Sequence, residues 1–281
     1  MYLKTYGDIS QYPASIEQTT EIEKLSEFYK KEETEIRIMT YNILADSLGF
    51  EGSPAELRAD GVCKIIKGIT PDICAFQEMS RKWFACIYNN TNFKFIHPIR
   101  SALFPTMTTL AYNPKTVNII ASGEQVFKNG SNSPLRRMVW GVFRHKKTDM
   151  IFAVVNTHFS LSDSNSADNT TPLTQALELI TLCKELKNLF NCPVFPLGDF
   201  NAHKSTKKTP SPIYDILVTA FKNTTELSKT VSHGENTNSK TLFIDHIFTF
   251  GDAKIQRHIT LSQPSFKKFS DHYPIFCDIS M

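Results

Sequence analysis

The sequence predicts one large α/β or β-sandwich domain, residues 35–281, preceded by a helical arm over residues 1–34. Three observations carry this. The chain has 281 residues, 41% of them hydrophobic and 21% charged, enough apolar surface for a sizeable core and too much for a disordered chain or a coiled coil. Twenty-one Phe and nine Tyr stand against eleven Gly, which fits a β-rich interior and excludes collagen-like or glycine-linker compositions. From residue 35 onward short apolar runs alternate with helical periodicities, with no internal repeat and no shift in composition to mark a second domain.

Residues 1–14 read as irregular. Over 15–32 the charged segment places Ile22, Leu25 and Tyr29 on one stripe, predicting an amphipathic helix. A strand follows at 36–42, then a helix over 54–69 with Leu57, Val62, Ile65 and Ile66 inward, a short apolar strand at 72–77 and a helix at 81–88. The middle is β-rich, with strands expected near 93–98, 106–112, 117–127, 138–145 and 150–157. The period of Ala176, Leu179, Ile180, Leu182, Leu186 and Leu189 predicts a helix over 174–190. Later strands are expected at 194–197, 241–248, 254–261 and 273–279, with polar loops at 160–172, 202–212 and 228–240.

The net charge of +3, from 31 basic and 28 acidic residues, is too small for the bulk field to attract a polyanion, so any such binding must come from local patches. The longest clean apolar run, Met150 to Val155, is far short of a membrane span, and the amino terminus has no apolar leader; a cytoplasmic monomer is expected. The six cysteines, at 63, 74, 86, 183, 192 and 277, form no CxxC and sit mostly in apolar stretches, which predicts buried free thiols.

The chemistry is written where apolar runs stop abruptly on amides, acids and imidazoles. Ile38-Met-Thr-Tyr-Asn42 ends on an amide and Ile73-Cys-Ala-Phe-Gln-Glu78 on a carboxylate. Phe152-Ala-Val-Val-Asn-Thr-His158 and Val194-Phe-Pro-Leu-Gly-Asp-Phe-Asn201 end on mixed polar sets, and Phe243-Ile-Asp-His246 and Ser270-Asp-His-Tyr-Pro274 add the last acids and imidazoles. A buried strand gains nothing from a carboxylate at its mouth unless that group is paired or metal-bound. One such residue is a turn former; a set of them is a site. Hard oxygen donors and imidazoles without thiolates suit Mg²⁺ or Mn²⁺, and an Asp–His pair from distant segments has the logic of an oriented acid or base. The reading is metal-assisted phosphoester hydrolysis.

At this point the chain resembles the endonuclease/exonuclease/phosphatase superfamily. Tyr41-Asn42, Gln77-Glu78, Asn156-Thr-His158, Gly198-Asp-Phe-Asn201, Ile244-Asp245 and Ser270-Asp-His272 follow the family's order across residues 35–281. The resemblance implies a four-layered α/β-sandwich, two mostly antiparallel sheets packed face to face with helices outside. It implies Glu78 as the principal metal ligand, helped by Asn42 and Asp271. It implies Asp199 as the group acting on the attacking water, Asn201 and His158 on the scissile phosphate, and His272, paired with Asp245, on the phosphorane. Arg136 or Arg137 matches an arginine that reaches the substrate phosphate. The chain departs from the family at Phe243, at Pro172 ahead of Gln175, and at His246, which is expected to face the core or a strand edge.

Three functions fit these motifs. Thr40-Tyr-Asn-Ile-Leu-Ala-Asp46 and Ser211-Pro-Ile-Tyr-Asp-Ile-Leu217 resemble deadenylase-type relatives, and Lys204, Lys207, Lys208, Lys267 and Lys268 fall in loops near the motifs; together they favour a phosphodiesterase acting on nucleic acid or a nucleotide-like substrate. A phosphomonoesterase or phospholipase on inositol phosphate or sphingomyelin-like substrates is the alternative, although Ala202-His-Lys-Ser205 replaces the tract expected of the inositol enzymes. An inactive binding module ranks last, since Glu78, Asp199, Asp245 and Asp271 are all present.

Overall fold

Helix α1 (Ile16–Phe28) precedes β1 (Ile36–Asn42), α2 (Ala55–Ile69), β2 (Ile73–Met79), α3 (Arg81–Asn90), β3 (Lys94–Ile96), β4 (Met107–Tyr112), β5 (Val117–Val126), β6 (Arg137–His145) and β7 (Ile151–His158). Then come α4 (Thr170–Phe190), β8 (Val194–Asp199), α5 (Pro212–Ala220), β9 (Lys222–Asn223), α6 (Thr224–Leu227), β10 (Thr230–Ser232), β11 (Asp245–Thr249), β12 (Lys254–Thr260), a 3₁₀ turn at Pro264–Lys268 and β13 (Ile275–Ser280). This computed structural model describes residues 16–45, 55–96, 107–128, 136–161, 170–232 and 243–280. The stretch over 1–14, Asp46, and parts of the loops expected at 160–172 and 228–240 lie outside the described residues.

The strands form two sheets, ordered β10-β12-β13-β1-β2-β4-β3 and β5-β6-β7-β8-β11-β9. Among the described residues β10–β12, β1–β2 and β7–β8 pair in parallel and the other pairs are antiparallel. The period of two along each central strand sorts its side chains into separate apolar layers. Ile36, Ile38, Ile73, Ala75, Phe152 and Val154 point into the core between the sheets. Their neighbours Met39, Tyr41, Cys74 and Phe76 pack under α1, α2 and α3. Ala153, Val155 and Val194 pack under α4 and α5. Both faces of these strands are buried, which is why they read as continuous apolar runs. The result is the four-layered sandwich.

Two helical faces differ from the periodicity reading. Leu57 is 47% exposed and Arg58 takes the inward position, so the buried stripe of α2 runs through Arg58, Val62, Ile65 and Ile66. Leu189 is 75% exposed at the end of α4, past the sheet it covers. Strand β11 begins at Asp245, with Phe200 N–H bonded to the Ile244 carbonyl just before it and residues 241–242 outside the described residues, and β13 begins after Pro274, which has no N–H for a ladder. Helix α5, for which the sequence reading named no element, starts with Pro212 in its first turn, where a fixed φ favours the helix. All six cysteines are buried free thiols, as expected, and no helix among the described residues is long and apolar enough to cross a membrane.

Candidate active site

Topology brings the polar strand ends together. A crossover helix, α2, joins the parallel pair β1–β2, and α4 joins β7–β8, so each pair ends at the same edge of its sheet. In register, Asn42 lies beside Gln77 and His158 beside Asp199. Strand β11 runs the other way and therefore starts there, with Asp245 opposite Asp199. Below this edge the sheets are locked by amides: Gln77 Nε2 donates to Asn156 Oδ1 at 2.7 Å, and Asn156 Nδ2 donates to the Phe76 and Thr109 carbonyls at 3.0 and 2.8 Å.

Gly198 permits the tight approach of β7 and β8. Its φ is +140°, and a Cβ there would stand 2.0 Å from the Thr157 carbonyl oxygen. Two non-glycine residues at the site also have positive φ, Glu78 at +60° and Asn201 at +48°. Glu78 sits where the β2–β4 register slips between Phe76 and Met79, a bulge that re-aims its side chain.

Asn42 and Asp199 form the hub. Asn42 Nδ2 donates to Glu78 Oε1 and to Asp199 Oδ2, both at 3.1 Å, and so bridges carboxylates from the two sheets. Ala45 N–H supports the other Glu78 oxygen at 3.0 Å. Asp199 Oδ1 accepts Asn201 N–H at 2.9 Å, while His158 Nε2 and His272 Nε2 stand 3.4 and 3.8 Å from its Oδ2. Asn201 itself is anchored by a 2.8 Å bond from Nδ2 to the Phe159 carbonyl. His272 Nδ1 bonds Asp245 Oδ2 at 2.8 Å. Among the described residues, Asp199, Asp245 and His272 form a buried cluster whose oxygen and nitrogen atoms lie within 4.8 Å of one another.

The environment splits these groups electrically. Burial lifts the Asp199 carboxyl most, the Asp245 charge adds to the lift, and His272 with the Asn201 and Asn42 hydrogen bonds pull back, leaving it raised to about 6. Burial disfavours the His272 cation, but the charge and hydrogen bond of Asp245, with Asp199 and Asp271, outweigh it and raise the imidazole to about 10. His158 is pushed well below its ordinary value by burial and by the Arg136 and His272 cations, so it is neutral. One imidazolium and one neutral imidazole flank the same carboxylate.

The two adjacent arginines part ways: Arg136 lies just before β6, and Arg137 is its first residue. Arg136 lies near the hub: Nη1 approaches the His158 carbonyl at 3.5 Å, and burial lowers its pKa against the opposing pull of Asp199 and Glu78. Arg137 turns to Glu124 on β5, 2.9 Å away. Asp271 is half-buried beside Ser270, whose Oγ donates to the Asn42 carbonyl at 2.7 Å and accepts His272 N–H at 3.2 Å. His246 is wholly buried among Phe200, Tyr214, Phe243 and Phe248, with Nε2 2.8 Å from the Ala202 carbonyl; burial lowers it to about 4. It faces the core, as expected. The sequence reading missed the Ala45 backbone donor and Arg58 beneath it. The signal for Arg58 was available: an arginine one position along from Leu57 fits the buried stripe of α2 at the cost of a charge.

No family model matches the chain, and no curated protein matches it in sequence. Solved structures do match in fold. A mannosyl-6-phosphatase of Bacteroides thetaiotaomicron superposes with a TM-score of 0.74 at 19% identity, over 88% of this chain and 100% of that one. An endonuclease/exonuclease/phosphatase protein of Bacteroides vulgatus gives 0.74 at 21% identity, over 88% and 99%. The catalytic domain of human Nocturnin, solved with a bound sulfate anion, gives 0.71 at 20% identity, over 88% and 94%. Order of strands, packing of layers and these superpositions agree: the chain has the α/β-sandwich fold of the endonuclease/exonuclease/phosphatase proteins.

Proposed function

We propose that this protein is a divalent-metal-dependent phosphoester hydrolase that cleaves phosphodiesters of nucleic acid or nucleotide-like substrates by direct attack of water. The observation that carries the proposal is the Asp199 carboxylate held between a neutral and a cationic imidazole and tied through Asn42 to Glu78.

The donor set fits Mg²⁺ or Mn²⁺. Glu78, on a bulged strand, has its two carboxylate oxygens bonded by Asn42 Nδ2 and Ala45 N–H, Asn42 Oδ1 accepts the Leu44 N–H at 3.1 Å, and Asp271 adds a half-buried carboxylate; the donors are oxygens, with no cysteine in the set. Glu78, Asn42 and Asp271 would hold the ion. The Asp199–Asp245–His272 cluster is a poorer home for it, because the His272 imidazolium already supplies the positive charge between the two acids. A bound ion supplies Lewis-acid neutralisation of phosphate oxygens.

The chain's own residues do the rest. Asp199, raised to about 6, is ionised at neutral pH and still basic enough to take a proton from water as its oxygen bonds to phosphorus. The phosphorus–oxygen bond opposite breaks, and the electron pair leaves with that oxygen. His272, oriented by Asp245, presents Nε2–H to the charge that builds on the phosphoryl oxygens. Asn201 keeps one amide N–H on Phe159 and has the second for a phosphate oxygen. His158 donates as a neutral imidazole, and Arg136, not Arg137, reaches the phosphate. Exposed Lys207, Lys208, Lys267 and Lys268 add backbone-phosphate contacts on an extended substrate, while Lys204 is paired with Glu226.

A second reading, phosphomonoester hydrolysis, is favoured by the likeness to the mannosyl-6-phosphatase. A panel of phosphodiesters and phosphomonoesters with Mg²⁺, Mn²⁺ or EDTA decides between them. Metal-dependent turnover of diesters is expected. Turnover of monoesters alone would select the second reading, and hydrolysis untouched by EDTA would overturn both.

A further inference from the structure

We propose that Arg58 is the positioning residue for the metal-ligand end of the site, holding in place the turn that supports Glu78 and tying it to the segment that carries Asp271 and His272. The inference rests on the assignment of Glu78, Asn42 and Asp271 as metal ligands.

Arg58 lies on α2 with 1% of its surface exposed, an unusual place for a guanidinium. Nη1 donates to the Ile43 carbonyl at 2.8 Å and to the Phe269 carbonyl at 2.9 Å, and Nη2 donates to the Leu44 carbonyl at 2.8 Å. The planar fork stacks over the Trp83 ring at 4.9 Å, and Trp83 Nε1 gives the Leu44 carbonyl a second donor at 2.9 Å. Leu44 has φ +52°, a left-handed turn that a leucine does not adopt without support. With its carbonyl drawn inward, the next peptide N–H, that of Ala45, points at Glu78 Oε2.

The third carbonyl is on the other side of the site. Phe269 directly precedes Ser270-Asp271-His272, and its ring lies where a Cβ on Gly61, one turn along α2 from Arg58, would stand 2.0 Å away. The glycine lets the Phe269 segment close onto the helix, within reach of the guanidinium. Ser270 Oγ completes the tie by bonding the Asn42 carbonyl. One planar fork thus ties residues 43 and 44 to the distant residue 269: Ile43 follows Asn42, the Leu44–Ala45 peptide supports Glu78, and Phe269 comes two residues before Asp271. An ammonium cannot reproduce that planar geometry.

Mn²⁺ titration calorimetry on the full chain tests this, with kcat and melting temperature measured alongside. Arg58→Met is expected to weaken Mn²⁺ binding about 10–100-fold, as loss of a group that orients ligands does, and to lower kcat; Arg58→Lys should recover part of the loss. Trp83→Phe, which keeps a ring under the guanidinium and removes one donor from Leu44, should weaken binding by a smaller factor. Asp72→Asn, at the opposite end of β1, where Asp72 accepts Lys31 Nζ and Arg37 N–H, is the stability control and should leave Mn²⁺ affinity unchanged. Wild-type affinity and kcat in folded Arg58→Met would overturn the inference. If that variant fails to fold, unchanged affinity in Trp83→Phe would do so. A wild-type protein that binds no Mn²⁺ would overturn the metal assignment itself, and the role of Arg58 with it.

Discussion

Asp199 and Asp245 face each other directly across the β8–β11 pair, and His272 stands over both, 2.8 Å from one carboxylate and 3.8 Å from the other. Two buried acids side by side repel, and the imidazolium between them relieves the repulsion. If that cation works in the reaction, His272→Ala should lower kcat about 10²–10⁴-fold, the range of an oriented acid or base. Asp245→Asn should cost nearly as much, and the double variant little more than either, since the pair acts as a unit. Measuring kcat and melting temperature on all three separates this from a purely structural ion pair, for which activity per folded molecule would survive.

The same pair sets the pH dependence. Asp199 must lose its proton to act as a base, so kcat/KM should rise as pH increases through about 6. His272 must keep its proton, so activity should fall as pH increases through about 10. A bell-shaped profile between these limits is expected, with the acidic limb moved further down by bound metal. The stability sign runs with His272: its folded pKa lies above the unfolded value, so its contribution is full below about 6.5 and is lost as pH rises toward 10. A profile with no acidic limb, or one kept intact in Asp199→Asn, would remove Asp199 as the base.

Glu78→Gln keeps the shape of the side chain and discards its charge. Mn²⁺ soaked into crystals should give anomalous density beside Glu78, and the substitution should abolish it. Density at the Asp199–Asp245–His272 cluster instead would move the metal to the other side of Asn42.

The amino-terminal arm should matter for stability and not for chemistry. Ile22 and Leu25 are buried in the core under α2, and Tyr29 packs edge-on against Phe276. The following linker adds a Lys31–Asp72 ion pair and a bond from Arg257 to the Lys30 carbonyl. Each buried aliphatic side chain contributes about 1.5–3 kcal/mol, so deleting residues 1–33 should lower the melting temperature by several degrees. Turnover of a small phosphodiester per folded molecule should persist. A fall as deep as that of Asp199→Asn would mean that the arm completes the site.

Much of this molecule is legible along the chain because its strands are buried on both faces. Apolar runs such as Ile73–Phe76 and Phe152–Val155 stand out, and so do the acids and amides that end them. The polar ends put Glu78, Asp199, Asp245 and His272 forward as candidates, and the fold brings their strand ends to one edge. What a linear reading could not settle depended on phase and distance. Arg136 and Arg137 are adjacent and chemically identical, and only the pairing of β6 with β5, which sets Arg137 against Glu124, sends one away from the hub. Leu57 and Arg58 are both compatible with a helical stripe, and packing against Trp83 and Phe269 turned the cation inward. His158 is neutral because burial, the nearby Arg136 and the distant His272 all disfavour its cation, whereas at His272 the charge of Asp245, brought in from another segment, outweighs burial. Residue types and their order are properties of the sequence; which of them meet, and in what dielectric, is decided by two sheets closing on each other.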